Sequence, residues 1–503
     1  MKSLYQTILL SSLLLSRSVP DGARAAEWSH AGPLYDDFSL TLTEGRRTEA
    51  LGPFFYSETA DTQKTWGLPP LCWHLRDSAT ELEKFDFLYP VLTWHRYGTE
   101  YRWQLFQLFS FAGGGNRPES AAKRLTLFPL YFQQRSADAS QNYTALLPFY
   151  GRLKNRIFTD EMFFVMLPLY LQSRKAGVTT DNYLFPLFSR SRGEGLSGWK
   201  ILPFAGHQHK EPTTRDIGFG DVEKIPGYDR RFVLFPLFFR ELTGIGSDNP
   251  AAETALLPLF SMLRSPQRDA TTVVWPFFTH ITDHEKKYGE WQLPYPLIVF
   301  ARGEGKTTTR VWPLFSHAQN ASQESTFYLW PAYRKKSVHG ETFERSRMRL
   351  FLFLYSDTQQ KNLATGKASR RQDFWPLFTR TLGYNGNDRL QILAPLEPIL
   401  PFSDSVEREY SPVWSLWRAE KNPTTGAASQ SLLWNLYRRD TTPASKNVSL
   451  FFGLFQYQSS PAGATTRWFY LPVKTGGAAA AGAFDETLAA PKFDESLTPP
   501  AKQ

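Results

Sequence analysis

Basic and imidazole side chains recur at a fixed distance from proline along most of the chain. In eleven copies of the pattern x-Pro-x-[Phe/Tyr], the residue two positions after the proline is Phe or Tyr in ten copies. The residue four positions after it is basic or His in eight copies: Arg152, Arg190, His207, Arg240, His280, His317, Lys335 and Arg380. In an extended strand, residues that differ by an even number share a face. The spacing therefore predicts a face that combines aromatic side chains with positive charge.

Other residue types that could do chemistry are sparse. His207 and His209 are the only close pair of histidines, and no third ligand that would complete a metal site with them can be named. The sequence RGEG occurs at 192–195 and 302–305, but no helix follows either copy, as a phosphate-binding loop would require. Cys72 is the only cysteine, so no intrachain disulfide can form. We expect no enzyme activity and no cofactor.

The same pattern defines an internal repeat of about 19 residues. Most copies are centred on a proline, and degenerate copies extend the series from about residue 50 to residue 475. The prolines that define the clearest copies are Pro129, Pro148, Pro168, Pro186, Pro203, Pro236, Pro258, Pro276, Pro313, Pro331 and Pro376. Five-residue apolar centres between polar, turn-rich segments are typical of β-strands. We therefore predict an all-β chain, a long antiparallel meander of about 20–22 strands with one proline inside most strands.

A proline inside a strand removes one hydrogen bond from the ladder. In YTALLPFYGRLK, at 143–154, alternation places Pro148, Tyr150 and Arg152 on one face, and Leu147, Phe149 and Gly151 on the other. Because the prolines recur in register, we interpret them as breaks that bend each strand or discourage mispairing between similar repeats.

Two architectures fit this meander. One is a large closed β-barrel of the outer-membrane type, with its apolar face toward lipid and its aromatic and basic face toward the lumen. The other is a propeller-like or stacked-sheet array, in which the aromatic face is packed core and the basic residues are solvated strand ends. The apolar face is often only three alternate positions deep, roughly 15–20 Å, which is short for a lipid-facing band.

The two termini differ in composition from the repeats. Residues 1–25 combine Lys2, an apolar run from Ile8 to Leu15 and a small-residue cleavage pattern, as in a secretory signal peptide. Residues 26–475 form the predicted repeat domain. Residues 476–503 are rich in Ala, Gly and Pro and repeat FDETL as FDESL, which predicts a flexible tail. A protein partner could dock on the repeated apolar residues of this tail: Phe484, Leu488, Phe493 and Leu497.

The net charge of +9 is spread along the whole chain, which disfavours a nucleic-acid partner. We expect an exported outer-membrane protein that contacts membrane lipid. It would be structural or pore-forming, with the eight basic residues lining the lumen or groove and favouring anionic small solutes. The alternative is a soluble periplasmic or cell-surface scaffold or binding protein.

Overall fold

The computed structural model describes residues 29–115, 121–156, 158–218, 221–461 and 463–473. The predicted signal peptide and C-terminal tail, with their apolar docking residues, lie outside these ranges. The described residues form 46 β-strands, and helical structure is limited to short turns at Gly52–Phe54, Ala139–Gln141, Val406–Tyr410 and Ser411–Trp414.

The first half of the chain contains twenty-three strands. They are β1 (Ser29–His30), β2 (Tyr35–Ser39), β3 (Gly45–Ala50), β4 (Phe55–Ala60), β5 (Gln63–Leu68), β6 (Cys72–Asp77), β7 (Leu82–Phe87), β8 (Leu92–Tyr97), β9 (Glu100–Leu105), β10 (Phe109–Gly113), β11 (Ala122–Leu127), β12 (Tyr131–Ser136), β13 (Tyr143–Leu146), β14 (Tyr150–Arg156), β15 (Thr159–Val165), β16 (Tyr170–Lys175), β17 (Val178–Tyr183), β18 (Phe188–Gly193), β19 (Leu196–Ile201), β20 (Ala205–Lys210), β21 (Thr213–Gly218), β22 (Asp221–Ile225) and β23 (Gly227–Val233).

The second half contains the other twenty-three. They are β24 (Phe238–Ile245), β25 (Ala251–Leu256), β26 (Phe260–Arg264), β27 (Arg268–Val273), β28 (Phe278–Asp283), β29 (Tyr288–Gln292), β30 (Ile298–Gly303), β31 (Lys306–Val311), β32 (Phe315–Asn320), β33 (Gln323–Tyr328), β34 (Tyr333–His339), β35 (Phe343–Leu350), β36 (Tyr355–Asn362), β37 (Ala368–Phe374), β38 (Phe378–Leu382), β39 (Asp388–Ile392), β40 (Trp417–Asn422), β41 (Ala427–Leu432), β42 (Tyr437–Thr441), β43 (Lys446–Leu450), β44 (Phe455–Ser460), β45 (Gly463–Trp468) and β46 (Leu471–Val473).

Forty-four of these strands form one antiparallel sheet in chain order, as the meander pattern predicts. The exceptions are β21 and β22, which form a separate two-stranded hairpin, so that β20 pairs directly with β23. Within the described residues, the ladder runs from β1 to β46 without a hydrogen-bonded pairing between these two end strands.

The repeat-defining prolines lie in turns, and the prediction that they lie inside strands is wrong. Pro148 separates β13 from β14, and Pro129 separates β11 from β12. The Leu127 carbonyl accepts a hydrogen bond from the Leu130 amide at 2.7 Å, and the bond before Pro129 is cis, as in a type VI turn. All eleven repeat-defining prolines follow a cis bond. No ladder hydrogen bond is lost, because a proline in the turn occupies no position in the ladder.

Each repeat of about 19 residues is therefore a pair of strands, and the prediction of 20–22 strands is about half the true number. A five-residue apolar run looks alike in a strand and across a tight turn. The strands themselves lie in the mixed polar segments on either side. Strand β35, FERSRMRL, shows no apolar face at all.

The turns alternate between two edges of the sheet. One edge carries the proline-containing turns, and we call it the apolar edge. The other carries turns such as Ala176–Gly177 and Glu194–Gly195, and we call it the polar edge. Gly195 has φ +70°, the left-handed conformation for which glycine is suited.

One face of the sheet, the inner face, is defined by an unbroken cross-strand row. It begins Asp36, Glu49, Tyr56, Gly67, Trp73 and Asp86, passes through Gly151, Ser189 and Ser316, and ends with Arg349, Asp373, Arg418, Arg438 and Gln456. Small or hydroxyl residues occupy about half of the positions in the central part of this row. A local apolar core on β12–β16 contains Phe132, Tyr143, Leu153 and Phe164.

The two ends of the sheet turn their inner faces toward each other. The Asn435 amide donates to the carboxylates of Asp36, at 3.0 Å, and Glu49, at 2.6 Å. The Arg438 guanidinium lies over the Phe38 ring at 3.4 Å from its centroid. Acidic side chains of β2–β3 thus meet polar and basic side chains that follow β41, so the sheet curls with its inner face enclosed.

Candidate functional site

Twenty-one short turns form the apolar edge, and none contains Asp, Glu, Lys, Arg or His. Gln107 and Asn435 are their only polar side chains, apart from tyrosine hydroxyls and tryptophan indole N–H groups. The turns are 31–34, 51–54, 69–71, 88–91, 106–108, 128–130, 147–149, 166–169, 184–187, 202–204, 234–237, 257–259, 274–277, 293–297, 312–314, 329–332, 351–354, 375–377, 433–436, 451–454 and 469–470. Neighbouring strands lie about 4.8 Å apart, so successive turns follow at roughly 10 Å along the edge.

Large apolar side chains of these turns are exposed. Phe149, Leu259 and Leu329 are 57%, 60% and 65% exposed. Within the described residues, more than seventy large hydrophobic side chains are exposed whereas twenty hydrophobic residues are buried. A contiguous apolar patch of this kind marks an interaction surface.

Several of the exposed residues also have an unfavourable backbone conformation. Leu184, Leu234 and Val274 have φ of 46°, 48° and 51°, the left-handed region. For a residue with a side chain this conformation costs roughly 1–2 kcal/mol, and glycine would avoid the cost. Their side chains are about half exposed, so packing within the fold does not account for them. Residues held in such conformations tend to occur at functional sites.

The backbone of the apolar edge is hydrogen-bonded from turn to turn. The Leu184 amide donates to the Leu169 carbonyl at 2.8 Å, and the Phe185 amide donates to the Pro168 carbonyl at 2.6 Å. Equivalent bonds join other neighbouring turns, and the prolines contribute no donor. The edge therefore presents apolar side chains over a backbone whose polar groups are largely satisfied.

The eight predicted basic residues lie in one row on the opposite, outer face. Each is the third residue of the strand that follows a proline turn, and the first residue of that strand is aromatic in seven of the eight cases, the exception being Ala205 before His207. In the centre of the row, Arg190 is opposite Trp199, which is opposite His207, and the row continues through Arg231 to Arg240. The pairings continue without a break to His280, His317, Lys335 and Arg380.

The outer row does not face the enclosed side of the sheet. Arg152 and Arg380 are exposed, while the inner-face residues of their own strands, Gly151 and Thr379, are buried or half-buried. The expectation that these residues line a lumen therefore conflicts with the direction in which the sheet curls. The spacing indicated correctly which residues share a face, but not which face is enclosed.

His207 and His209 both contact one carboxylate on the outer face. His207 Nε2 lies 3.0 Å and His209 Nδ1 lies 3.2 Å from Asp229 Oδ2, and Arg231 donates to the same carboxylate at 2.9 Å. Burial opposes ionisation of Asp229, but these donors outweigh it and lower its pKa to about 2. Within the described ranges, no group of three or more His, Cys, Asp and Glu residues is arranged to hold a metal ion.

Residues 393–416, which we call the bridging segment, form the one long connection at the apolar edge. They join β39 to β40 and fold back over the inner face. Toward the N-terminal strands, the Ser405 hydroxyl donates to Asp86 at 2.6 Å and the Tyr56 hydroxyl donates to the Arg408 carbonyl at 2.9 Å. Toward the C-terminal strands, Arg371 donates to the Glu397 carbonyl at 2.8 Å. The segment thus links the two ends of the sheet.

Two fully buried carboxylates anchor the bridging segment. Glu397 accepts hydrogen bonds from the Gln391 amide at 2.7 Å, from the Trp414 indole at 3.0 Å and from the Ser411 hydroxyl. Glu409 accepts from the Tyr89 amide at 3.1 Å. Burial raises the pKa of Glu409 to about 7.

A polar cavity of about 750 Å³ lies between the two ends of the sheet. Its lining includes Arg47, Glu49, Glu58 and Arg418. Arg47 pairs with Glu49 at 2.6 Å and with Glu58 at 2.8 Å. Burial opposes the ionisation of Glu49, but the charge of Arg47 and other nearby arginines outweighs it and lowers its pKa. These pairs lie on β3 and β4, within the N-terminal end of the sheet.

Sequence reasoning missed both the bridging segment and this cavity. The only available signal was a gap of two repeat lengths between the copies at residues 375 and 413. No protein-family model and no curated protein matches the chain. Among the described helices, none is long and apolar enough to cross a bilayer.

Proposed function

We propose that this protein is an exported, membrane-associated protein whose apolar edge is immersed in one leaflet of a lipid bilayer. The observation that carries the proposal is the row of charge-free, exposed turns along a single edge of the sheet. The opposite edge, by contrast, carries charged and polar turns such as Lys286–Lys287 and Glu304–Gly305.

The depth of the apolar edge matches immersion in one leaflet. The turns and the first residue of each flanking strand are mostly apolar, which gives a layer about 8–10 Å deep. Elements that lie in the membrane interface are buried by about 5–10 Å. The strands in the described part of the chain have at most eight residues, whereas a strand that crosses a bilayer needs about 9–11.

The order of residue types along the strands, counted from the apolar edge, supports the same placement. Aromatic side chains such as Tyr150, Phe188 and Phe278 occupy the first strand position on the outer face. The basic row follows at the third position, about 7 Å further from the edge. Aromatic residues favour the membrane interface, and Lys and Arg are attracted to anionic headgroups. In this placement the basic row lies near the phosphates.

The turn-to-turn hydrogen bonds make immersion energetically feasible, because an unsatisfied backbone group is costly in an apolar medium. Burying the exposed side chains of one turn contributes about 2 kcal/mol. Twenty-one turns then contribute on the order of 40 kcal/mol before the cost of immobilisation.

Single cysteines carrying an environment-sensitive fluorophore test the placement. Cys72 is the only native cysteine, so Cys72→Ser gives a cysteine-free background. Labels would be placed at the apolar edge (Leu187→Cys), in the outer row (Met262→Cys) and at the polar edge (Glu304→Cys). On liposomes we expect a blue shift and quenching by lipid-borne quenchers at residue 187, weak quenching at 262 and none at 304. No change at residue 187 would contradict the proposal.

A membrane-spanning barrel that conducts anions is the second candidate function. One observation favours it: the sheet ends approach each other and enclose a polar inner face. Because the eight basic residues lie on the outer face, any anion preference would have to come from inner-face arginines. The label at residue 262 would then show the deepest burial, and planar bilayers would show conductance with an anion-selective reversal potential. Without conductance this candidate fails.

A further inference from the structure

Five cations form a column on the inner face of β34 and β35. Arg334 is directly opposite Arg349, Lys336 is directly opposite Arg347, and Arg345 follows at the next inner-face position. Directly opposite residues in an antiparallel pair have Cβ atoms about 4.5–5.5 Å apart. We call these five residues the cation column.

The cation column lacks the acidic partners that other basic residues of this region have. Arg370 pairs with Asp357 at 2.6 Å, and Arg371 pairs with Asp373 at 3.0 Å. None of the five column residues forms an ion pair within the described part of the chain. Asp373, the acidic residue on the inner face of β37, already accepts hydrogen bonds from Arg371, Thr379 and Ser356.

Arg347 provides a second, independent observation. Its Nε atom is buried and has no hydrogen-bond partner. Burial and the neighbouring arginines lower the pKa values of Arg347 and Arg349. Like charges placed directly opposite destabilise a sheet, so this arrangement costs stability in the absence of an anion.

The position of the column indicates what kind of anion it would meet. Arg349 precedes Leu350, the last residue of β35, and the apolar-edge turn 351–354 follows directly. One end of the cation column is therefore next to the apolar edge. Guanidinium groups bind phosphate oxygens through paired hydrogen bonds. We propose that the cation column binds a phosphate-bearing ligand with at least two negative charges, contacted by Arg334, Arg347, Arg349 and Lys336.

Two probes separate the possible sources of the phosphate. Inorganic pyrophosphate represents a free phosphate, and dihexanoyl phosphatidic acid represents a lipid headgroup with a short apolar tail. Calorimetry would use the full chain in neutral maltoside micelles. Saturable binding of either probe supports the site. Tighter binding of the lipid identifies a lipid headgroup as the source, and equal binding identifies the phosphate alone. The pyrophosphate measurement needs no bilayer, so its outcome is separate from that of the labelling experiment.

Matched substitutions on the two faces make the test specific. We expect Arg347→Gln and Lys336→Gln to weaken binding about tenfold or more, since each removes a charge-assisted contact. The outer-face controls Arg240→Gln and Lys335→Gln remove the same charge and should change the affinity for pyrophosphate by less than about twofold. Lys335 and Lys336 are adjacent, so this pair compares the two faces at one place in the sheet.

A stability measurement distinguishes a binding site from a structural role. Without ligand, Arg347→Gln should raise the unfolding temperature, because it relieves repulsion between cations, whereas a structural arginine would lower it. Failure of both probes to bind, or equal loss of binding in the inner-face and outer-face variants, would overturn the proposal.

Discussion

The two edges of the sheet are built from the same strands, yet their turns obey different rules. At the polar edge, the left-handed residues are glycines, such as Gly177 and Gly195, or charged and small residues, such as Glu81, Ala176 and Lys287. At the apolar edge, Leu184 and Val274 adopt positive φ although glycine would do so without strain. A requirement for folding alone would give both edges the same turn chemistry. The difference indicates that the apolar side chains serve contacts outside the chain.

The bridging segment is the exception that clarifies this comparison. It is the one connection at the apolar edge that folds inward, and its partners are buried carboxylates, hydroxyls and arginines. Where the edge turns toward the interior its chemistry is polar, and where it turns outward it is apolar. This is the reverse of the usual arrangement in a water-soluble protein.

The largest expected effect comes from placing charge at the apolar edge. Six aspartates would replace the residue after the proline in six turns: Phe149, Leu187, Leu237, Phe277, Leu314 and Leu377. Each change removes about 1 kcal/mol of apolar burial and adds the cost of a carboxylate near lipid. We expect the variant to lose co-flotation with liposomes.

The matched control adds six aspartates at the polar edge, at Ala176, Ser247, Gln267, Ala321, Thr365 and Ala444. Both variants have the same net charge. A difference in their flotation is therefore due to the edge at which the aspartates were placed. If both float with the lipid equally well, or neither does, the distinction between the edges has no bearing on membrane association.

The next largest effect concerns the inward-folded connection. Glu397→Ala leaves the Trp414 indole and the Gln391 amide without their buried acceptor, which should cost about 3–5 kcal/mol. The exposed polar-edge residue Glu304 is the control, and Glu304→Ala should cost under about 1 kcal/mol. The measurement is hydrogen exchange, which gives the stability of each strand separately. A long repeat sheet need not unfold in one step, so a single free energy of unfolding would not describe it. Unchanged protection of β4–β7 and β37–β39 would show that the bridging segment does not hold the ends together.

A smaller effect depends on pH. Because the pKa of Glu409 is raised from 4.5 to about 7 in the folded protein, the folded state binds more protons between these values, and its stability falls as pH rises. Glu409→Gln should therefore match the native protein below about pH 4.5 and exceed it by about 3 kcal/mol above pH 7. The pKa of nearby Asp86 is also raised by burial, which adds a residual slope in the same direction. A native profile that rises between pH 5 and 7 would contradict this assignment.

Much of the repeat was predictable from the sequence, because its period and its two faces depend on the spacing of residues close together in the chain. The even spacing from aromatic to basic residue placed all eight basic or His residues on one face, and the regular period predicted a meander. The number of strands was not predictable, because an apolar run such as LLPFY is equally compatible with a strand centre and with a turn that joins two strands. Only tertiary context, in which neighbouring turns bond to one another, decides between these possibilities.

The enclosed face was not predictable for a different reason. Its chemistry depends on contacts between residues more than 300 positions apart, such as Ser405 with Asp86 and Asn435 with Glu49. The alternation of Arg345, Arg347 and Arg349 was visible in the sequence. Without an apolar face, however, nothing marked that segment as a strand or its arginines as neighbours.

The smallest effect is expected at the polar edge, from removal of a whole hairpin. Strands β21 and β22 pair only with each other, and Lys210 is already opposite Tyr228 in the main sheet. Replacing residues 211–227 by Asn-Gly would join β20 to β23 through a two-residue turn suited to an antiparallel pair. We expect local stability within about 1 kcal/mol of the native value and unchanged liposome flotation. Polar-edge loops take no part in the strand pairing of the main sheet, and in the proposed placement they do not contact lipid. Loss of flotation in this variant would mean that the polar edge also takes part in membrane association, and the two edges would no longer differ in function.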